Sequence, residues 1–291
     1  MGKFLLFGKN GQLGWELQRT LITMGEVVAF DYPEIDLGQP ESIREIIRET
    51  KPQLIINAAA YTDVDKAESE PDLAMNVNAI APGIMAEEAK RLNIALIHYS
   101  TDYVFDGKKG SPYVETDQAN PLNVYGKTKL EGERAVESIG GAYLIFRTSW
   151  VFSQRGNGFV AKVLQWARQQ ETLRVVDDQI GNPTWARLLA EATSQVIAQG
   201  KEDPTGYIQA KSGLYHLAGQ DSCSRYDWAR LILDHNPDKK DVRVKQIVPA
   251  KTDEFPLPAA RPMTTAMNSS KAEKTFGVKC GKLEDAMKLL F

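Results

Sequence analysis

The chain has 291 residues, 43% of them hydrophobic and 25% charged, which suits one large α/β domain, alone or with a smaller lobe. A formal charge of −3 and an isoelectric point near 5.8 argue against a nucleic-acid or membrane-surface binder. Cys223 and Cys280 lack metal-ligand spacing and read as reduced thiols, and the apolar run at residues 4 to 7 is too short for a signal peptide or a membrane span, so a cytoplasmic protein is expected.

In chain order, apolar runs predict strands over 3–7, 27–30, 53–57, 95–100 and 142–147. Helix-like segments over 12–24, 41–50, 72–92 and 125–138 separate them. Strands that are apolar on both faces, alternating with amphipathic helices, specify an α/β doubly wound parallel sheet. Beyond residue 150 the loops lengthen and prolines gather, from Pro183 and Pro204 to Pro256, Pro258 and Pro262. Strands are still predicted over 173–178 and 213–218, and helices over 184–199, 225–235 and 281–290. The expected organisation is a dinucleotide-binding domain over 1–150, then a substrate lobe over 151–291 interleaved with the last sheet strands.

The first strand runs into a glycine turn. Gly8, Gly11 and Gly14 form GxxGxxG at the opening of the first helix. Such a turn needs residues without Cβ, and the helix N-terminus offers free N–H groups and a positive dipole to a pyrophosphate. Asp31 ends the second strand, where a carboxylate can accept hydrogen bonds from the adenosine ribose. No arginine follows it, although Lys9 in the turn can partly meet a 2′-phosphate, so NADH and NADPH both stay open. Asp36 and Leu37 follow in a loop placed to flank an adenine. The third strand ends in Ala58, Ala59 and Ala60, small enough for a flat cofactor to pass the backbone.

Tyr125 and Lys129 are four residues apart, hence on one face of a helix. A phenol titrates near 10, and a neighbouring ammonium is expected to lower that value toward a useful range. Thr101, just after the fourth strand, lies where ligands sit in such sheets and supplies a hydroxyl for a substrate oxygen. The opposite face of this helix, with Lys127, Glu131 and Glu133, is expected to be solvated.

These features together, with the blocks GKNGQLGWEL, NAAAYTDVDKAESEP, HYSTDYVFDG, NPLNVYGKTKLEGE, FRTSWVF and AARP, resemble the extended short-chain dehydrogenase/reductase family across essentially the whole chain. Within it they are similar to the dTDP-4-dehydrorhamnose reductases. The resemblance implies a Rossmann-type fold and an NAD(P)H-dependent reduction of the C4 ketone of a dTDP-deoxyhexulose. By position it implies Tyr125, Lys129 and Thr101 as the catalytic set. Gly8, Asn10, Gly11, Gln12, Leu13, Asp31, Asp36, Leu37, Ala58, Ala59, Ala60, Tyr61 and Lys129 match cofactor contacts. Thr62, Asp102, Tyr103 and Trp150 match positions near the sugar, beside Thr101 and Tyr125. Related 4,6-dehydratases carry an acidic pair after the threonine; here Asp102 is followed by Tyr103, which leaves proton abstraction at C5 without an obvious base.

A diphosphate calls for a cation, and Arg261 in PAARPM is the leading candidate. In DQIGNPTWA, Gln179, Asn182 and Thr184 suit either the nucleotide or a helix cap. His98 and His216 lie in strands and read as packed side chains, and His235 as surface. No residue is assigned to a metal. In some relatives Mg²⁺ bridges subunits through carboxylates; Glu16 suits that role, but Arg187 stands where a second acid is sought, so Mg²⁺ and the choice between monomer and homodimer stay open. A non-catalytic, dinucleotide-binding regulatory subunit of methionine adenosyltransferase type carries much the same fingerprint. Arg261, Trp150 and Tyr103 favour an enzyme, and another dTDP- or UDP-deoxyketosugar is the remaining alternative substrate.

Overall fold

A computed structural model describes residues 2–291. The first half builds β1 (Gly2–Phe7), α1 (Gln12–Leu21), β2 (Gly25–Phe30), α2 (Pro40–Thr50), β3 (Leu54–Asn57), α3 (Pro71–Met75), α4 (Ala81–Leu92), β4 (Ala95–Thr101), α5 (Val124–Ile139) and β5 (Tyr143–Thr148). The second half adds β6 (Val151–Phe152), α6 (Phe159–Gln169), β7 (Thr172–Val176), β8 (Ile180–Gly181), β9 (Thr184–Trp185), α7 (Ala186–Gln199), α8 (Pro204–Gln209), β10 (Gly213–His216), β11 (Cys223–Ser224), α9 (Arg225–His235), β12 (Gln246–Ala250), α10 (Ser270–Phe276) and α11 (Leu283–Leu290).

Six parallel strands form the central sheet in the order β10-β5-β4-β3-β1-β2. The fold is the doubly wound α/β arrangement expected from the alternation of apolar runs and helices. Along β1 the side chains alternate between two cores. Phe4 and Leu6 pack with Leu13 and Leu17 of α1 and with Leu189 and Val196 of α7. Leu5 and Phe7 pack with Ile43 and Ile47 of α2, Met85 of α4 and Val136 of α5. Burying both faces explains why these strands read as unbroken apolar runs.

The strand order reverses direction between β1 and β3. Their C-terminal ends, Phe7 and Asn57, are register partners, and Asn57 in turn pairs with His98 of β4. A crevice opens at such a reversal, and ligands bind there. The last strand, β10, pairs with β5 and closes the sheet edge. Residues after 150 also surround a third core, in which Phe152, Val163, Leu173, Trp228, Ile232 and Met287 meet.

Two of the departures from the expected elements have a local cause. The helix expected over 72–92 is split: α3 and α4 are joined by one wider π turn, Asn76–Ile80. Pro82 has no N–H to give the Asn78 carbonyl, so the regular ladder cannot run through. The Asn78 side chain then ties the loop after β3 to α5, accepting from the Tyr61 amide at 2.8 Å and donating to the Thr128 hydroxyl at 3.1 Å. The second departure is α6, which follows a polar, glycine-containing lead that reads as loop; it folds because Val160, Val163 and Ala167 bury one face.

Candidate active site

A cleft of about 940 Å³ opens over the C-terminal ends of β1, β3, β4 and β5. At one end lies the glycine turn. Gly8 has φ +89°, a left-handed value that favours glycine. A Cβ on Gly14 would stand 1.9 Å from the Gly8 carbonyl oxygen, so the turn closes on the helix only because that atom is missing. The N-cap of α1 is Gly11, which has no side chain to satisfy the first N–H groups. This arrangement fits a pyrophosphate. Gly14→Ala is expected to weaken NADPH binding by tenfold or more, about 1.4 kcal/mol, because the turn must open to relieve that contact. Titration of NADPH fluorescence measures it.

Gly8, Gly11, Gln12 and Leu13 line this end, followed by Asp31, Asp36 and Leu37. Asp31 accepts from the backbone amides of Asn10 and Tyr32, each at 2.8 Å, which fixes its carboxylate beside the turn. Asn10 itself is exposed and does not line the cleft. The Gln12 amide is engaged with the Val151 carbonyl and the Ser153 hydroxyl, so it fastens the turn to the second half of the chain. Lys9, considered for a 2′-phosphate, forms an ion pair with Glu34. Ala58, Ala59, Ala60, Tyr61 and Thr62 complete the floor. The residues present therefore suit a nicotinamide dinucleotide.

The centre of the cleft brings Thr101, Asp102, Tyr103, Tyr125, Lys129 and Trp150 together. Asn123 caps α5 by accepting from the Gly126 amide at 2.8 Å, which sets where Tyr125 enters. Lys129 is 2% exposed, and its Nζ donates to the Tyr99 carbonyl at 2.6 Å. A chain of polar contacts lies behind it. The Ala59 amide donates to Asn57 Oδ1, which leaves Asn57 Nδ2 to donate to His98 Nδ1 at 3.1 Å. A neutral His98 then carries its proton on Nε2, 3.5 Å from Lys129 Nζ. Burial and the Lys129 charge hold the His98 pKa well below the usual imidazole range. Burial lowers Lys129 to about 8, partly opposed by Glu133.

Tyr125 differs from the sequence expectation. Burial raises its pKa above that of an ordinary phenol, opposed by contact with the Thr101 hydroxyl and reinforced by Asp102 and Tyr103. The tuning expected from Lys129 is absent in this resting geometry because its ammonium is turned to the Tyr99 carbonyl. Tyr125 is therefore held protonated. Thr101 Oγ1 donates to Asp102 Oδ1 at 3.2 Å and accepts from the Tyr103 amide. Asp102, 2% exposed, also accepts from Thr265 at 2.5 Å, and burial raises its pKa. It anchors the 261–267 segment.

Two predicted substrate residues are not brought to the cleft. Arg261 is bound by Asp65 at 2.7 Å and by the Ala259 carbonyl at 2.9 Å. Asn182 is buried, with its amide on the Gly219 carbonyl and the Met267 N–H. The Thr184 hydroxyl donates to the Asn182 carbonyl and accepts from the Gly219 amide. Gln179 is bonded to Thr252. Glu133, expected on a solvated face, is 1% exposed, while Lys127 is exposed. The spacing explains it: residues 125, 129 and 133 share one stripe of α5.

The sequence reading missed Arg225. This residue lines the cleft, with its guanidinium 3.5 Å from the Trp150 ring. Trp150 has φ +45°, a rare conformation for a large side chain, and its indole packs where a Cβ on Gly181 would intrude at 2.5 Å. One signal was available: Arg225 opens α9, where a cation opposes the helix dipole. For metals, the described residues contain no group of three or more His, Cys, Asp or Glu side chains suited to an ion. Glu16 instead meets Arg187 at 3.5 Å. Among the described residues no helix is long and apolar enough to cross a membrane.

Comparison with known proteins places the chain. The family model for the RmlD substrate binding domain matches residues 2–291. The dTDP-4-dehydrorhamnose reductase of Burkholderia thailandensis is 42% identical over 95% of this chain and 94% of its own. The solved structure of a dTDP-4-dehydrorhamnose reductase from Clostridium acetobutylicum superposes with a TM-score of 0.89, 36% identity and coverage of 99% and 98%. A Bacillus anthracis dTDP-4-dehydrorhamnose reductase in complex with NADP gives 0.88, 30% identity and coverage of 100% and 98%. The chain is thus a member of the dTDP-4-dehydrorhamnose reductase family, an extended short-chain dehydrogenase/reductase.

Proposed function

We propose that the protein acts in the cytoplasm and uses NADPH or NADH to reduce the C4 ketone of dTDP-4-dehydro-6-deoxy-L-mannose, giving dTDP-L-rhamnose. The observation that carries this reading is the meeting, in one cleft, of Tyr125, Lys129 and Thr101 with the glycine turn of α1. The names of the relatives support the substrate class, and the NADP complex of one of them supports the cofactor. The dinucleotide, when bound, supplies the hydride.

Tyr125 donates its phenolic proton to the C4 oxygen as negative charge develops there. The raised pKa keeps that proton in place until an alkoxide, a far stronger base than a ketone, draws it off. Lys129, one helical turn away, then turns its ammonium from the Tyr99 carbonyl toward the phenolate and holds it by charge. Thr101 holds the same substrate oxygen, and to donate to it must turn its hydroxyl from Asp102. Asp102 is committed to Thr265 and does not serve as a base. Tyr103 and Trp150 flank the sugar. On this reading residues 1–150 bind the cofactor and the lobe over 151–291 takes the nucleotide-sugar.

Steady-state kinetics on the dTDP-ketosugar with each cofactor, with product stereochemistry at C4 assigned, test the reading. The expected result is loss of reduced-dinucleotide absorbance and formation of the rhamno product. Dinucleotide binding without turnover would favour a regulatory role instead.

A further inference from the structure

We propose that Arg225 is the phosphate anchor of the substrate site, binding the phosphate group next to the sugar. This rests on the reductase reading above and adds to it the residue that holds the substrate's charge. Arg225 is half-buried yet opens onto the cleft. It forms no ion pair among the described residues. Among the described residues its side chain has no hydrogen-bond partner that would tie up the fork, and Tyr103, Asp102 and Cys223 are its polar neighbours. Burial lowers its pKa, a sign that the charge lacks a full partner. A guanidinium has five N–H donors in a fixed fork, so most of them are left for a ligand.

Aromatic rings hold the side chain in place. Its guanidinium carbon is 3.5 Å from the Trp150 ring, 5.0 Å from Phe159 and 5.6 Å from Trp228. Such a stack fixes the plane of the fork and directs its edge, the part that bonds phosphate oxygens in pairs. The N-terminus of α9, where Arg225 stands, adds a dipole that favours an anion. Arg261, the other arginine considered for this task, is paired with Asp65.

Placement then chooses the phosphate. Tyr103 touches Arg225 on one side, and its ring lies edge-on to that of Tyr125, centroids 5.8 Å apart. Tyr103 thus neighbours both Arg225 and the proton donor, and all three side chains line the one cleft. A pyranose carries C4 and the anomeric carbon on opposite sides of its ring. With C4 at Tyr125, the anomeric oxygen and its phosphate fall at Arg225.

Equilibrium binding and kinetics of Arg225→Gln and Arg225→Lys test this. The probes are dTDP, thymidine, NADPH and the dTDP-ketosugar. In Arg225→Gln the Kd for dTDP and the KM for the ketosugar are expected to rise about 30-fold or more, with NADPH and thymidine affinities unchanged. Arg225→Lys keeps the charge without the fork and is expected to lose less. A dTDP affinity equal to wild type in either variant, with NADPH binding intact, overturns the anchor. If Arg225→Gln fails to bind NADPH, it has lost its fold and Arg225→Lys alone decides. If the wild-type protein binds neither dTDP nor the ketosugar, the reductase reading fails and the anchor with it; turnover by wild type with unaffected variants sinks the anchor alone.

Discussion

Tyr125→Phe is expected to lose about a hundredfold to ten-thousandfold in kcat while binding NADPH with unchanged affinity, the range found when a positioned general acid is removed. The substitution deletes one hydroxyl and keeps the ring that packs edge-on against Tyr103. The glycine turn proposed to hold the pyrophosphate is built from other residues of the cleft and should not change. The pH dependence follows from the same geometry. Burial raises the Tyr125 pKa, so the proton-bearing form persists below and through neutral pH and is lost only on the alkaline side. Lys129, lowered to about 8, loses its ammonium as pH rises past that value. The kcat/KM of the wild type should therefore fall above about pH 8, not below it. Rapid-mixing measurement of single-turnover dinucleotide oxidation reads the chemical step directly, and a Tyr125→Phe variant with near-wild-type rate would remove Tyr125 from the mechanism.

The parts of this molecule that sequence exposes are those written in local spacing. Gly8, Gly11 and Gly14 lie within one turn, and Tyr125 and Lys129 within one helical turn, so short-range rules place them. The strands show because burial on both faces demands continuous apolar runs. What the sequence hides is pairing across distance. Arg261 reads as a free cation until Asp65, 196 positions away, occupies it. Asn182 reads as a nucleotide contact until the folded chain spends its amide on backbone groups at Gly219 and Met267. Arg225 belongs to a different part of the chain from the catalytic helix, and it meets Trp150 at the cleft only once the chain is folded. Strands of two residues, such as β6 and β9, carry no periodicity to detect.

Glu133→Ala is expected to destabilise the protein by about 3–5 kcal/mol, the cost of leaving a buried charge without its partner. Glu133 receives two parallel hydrogen bonds from Arg147 of β5, at 2.8 and 2.6 Å, and a third from Ser100 of β4 at 2.5 Å. Both charged side chains are nearly inaccessible, at 1% and 4%. The Arg147 Nη1 is already without a hydrogen bond, and the ring of Phe105 lies 5.0 Å from its guanidinium. The pair also matters to the site by position. Glu133 is one turn beyond Lys129, Ser100 precedes Thr101, and Arg147 precedes Thr148. The contact thus fastens α5 to the strand ends that carry the chemistry, and its loss should loosen the register of Tyr125 and Lys129 against Thr101. Denaturant unfolding measures the first effect, and kcat in the temperature range where the variant stays folded measures the second. Glu133→Leu combined with Arg147→Met removes both charges together, so it should recover much of the stability but not the alignment. Equal instability of the double and single variants would mean that the shape of the pair, not its unpaired charge, is what the fold requires.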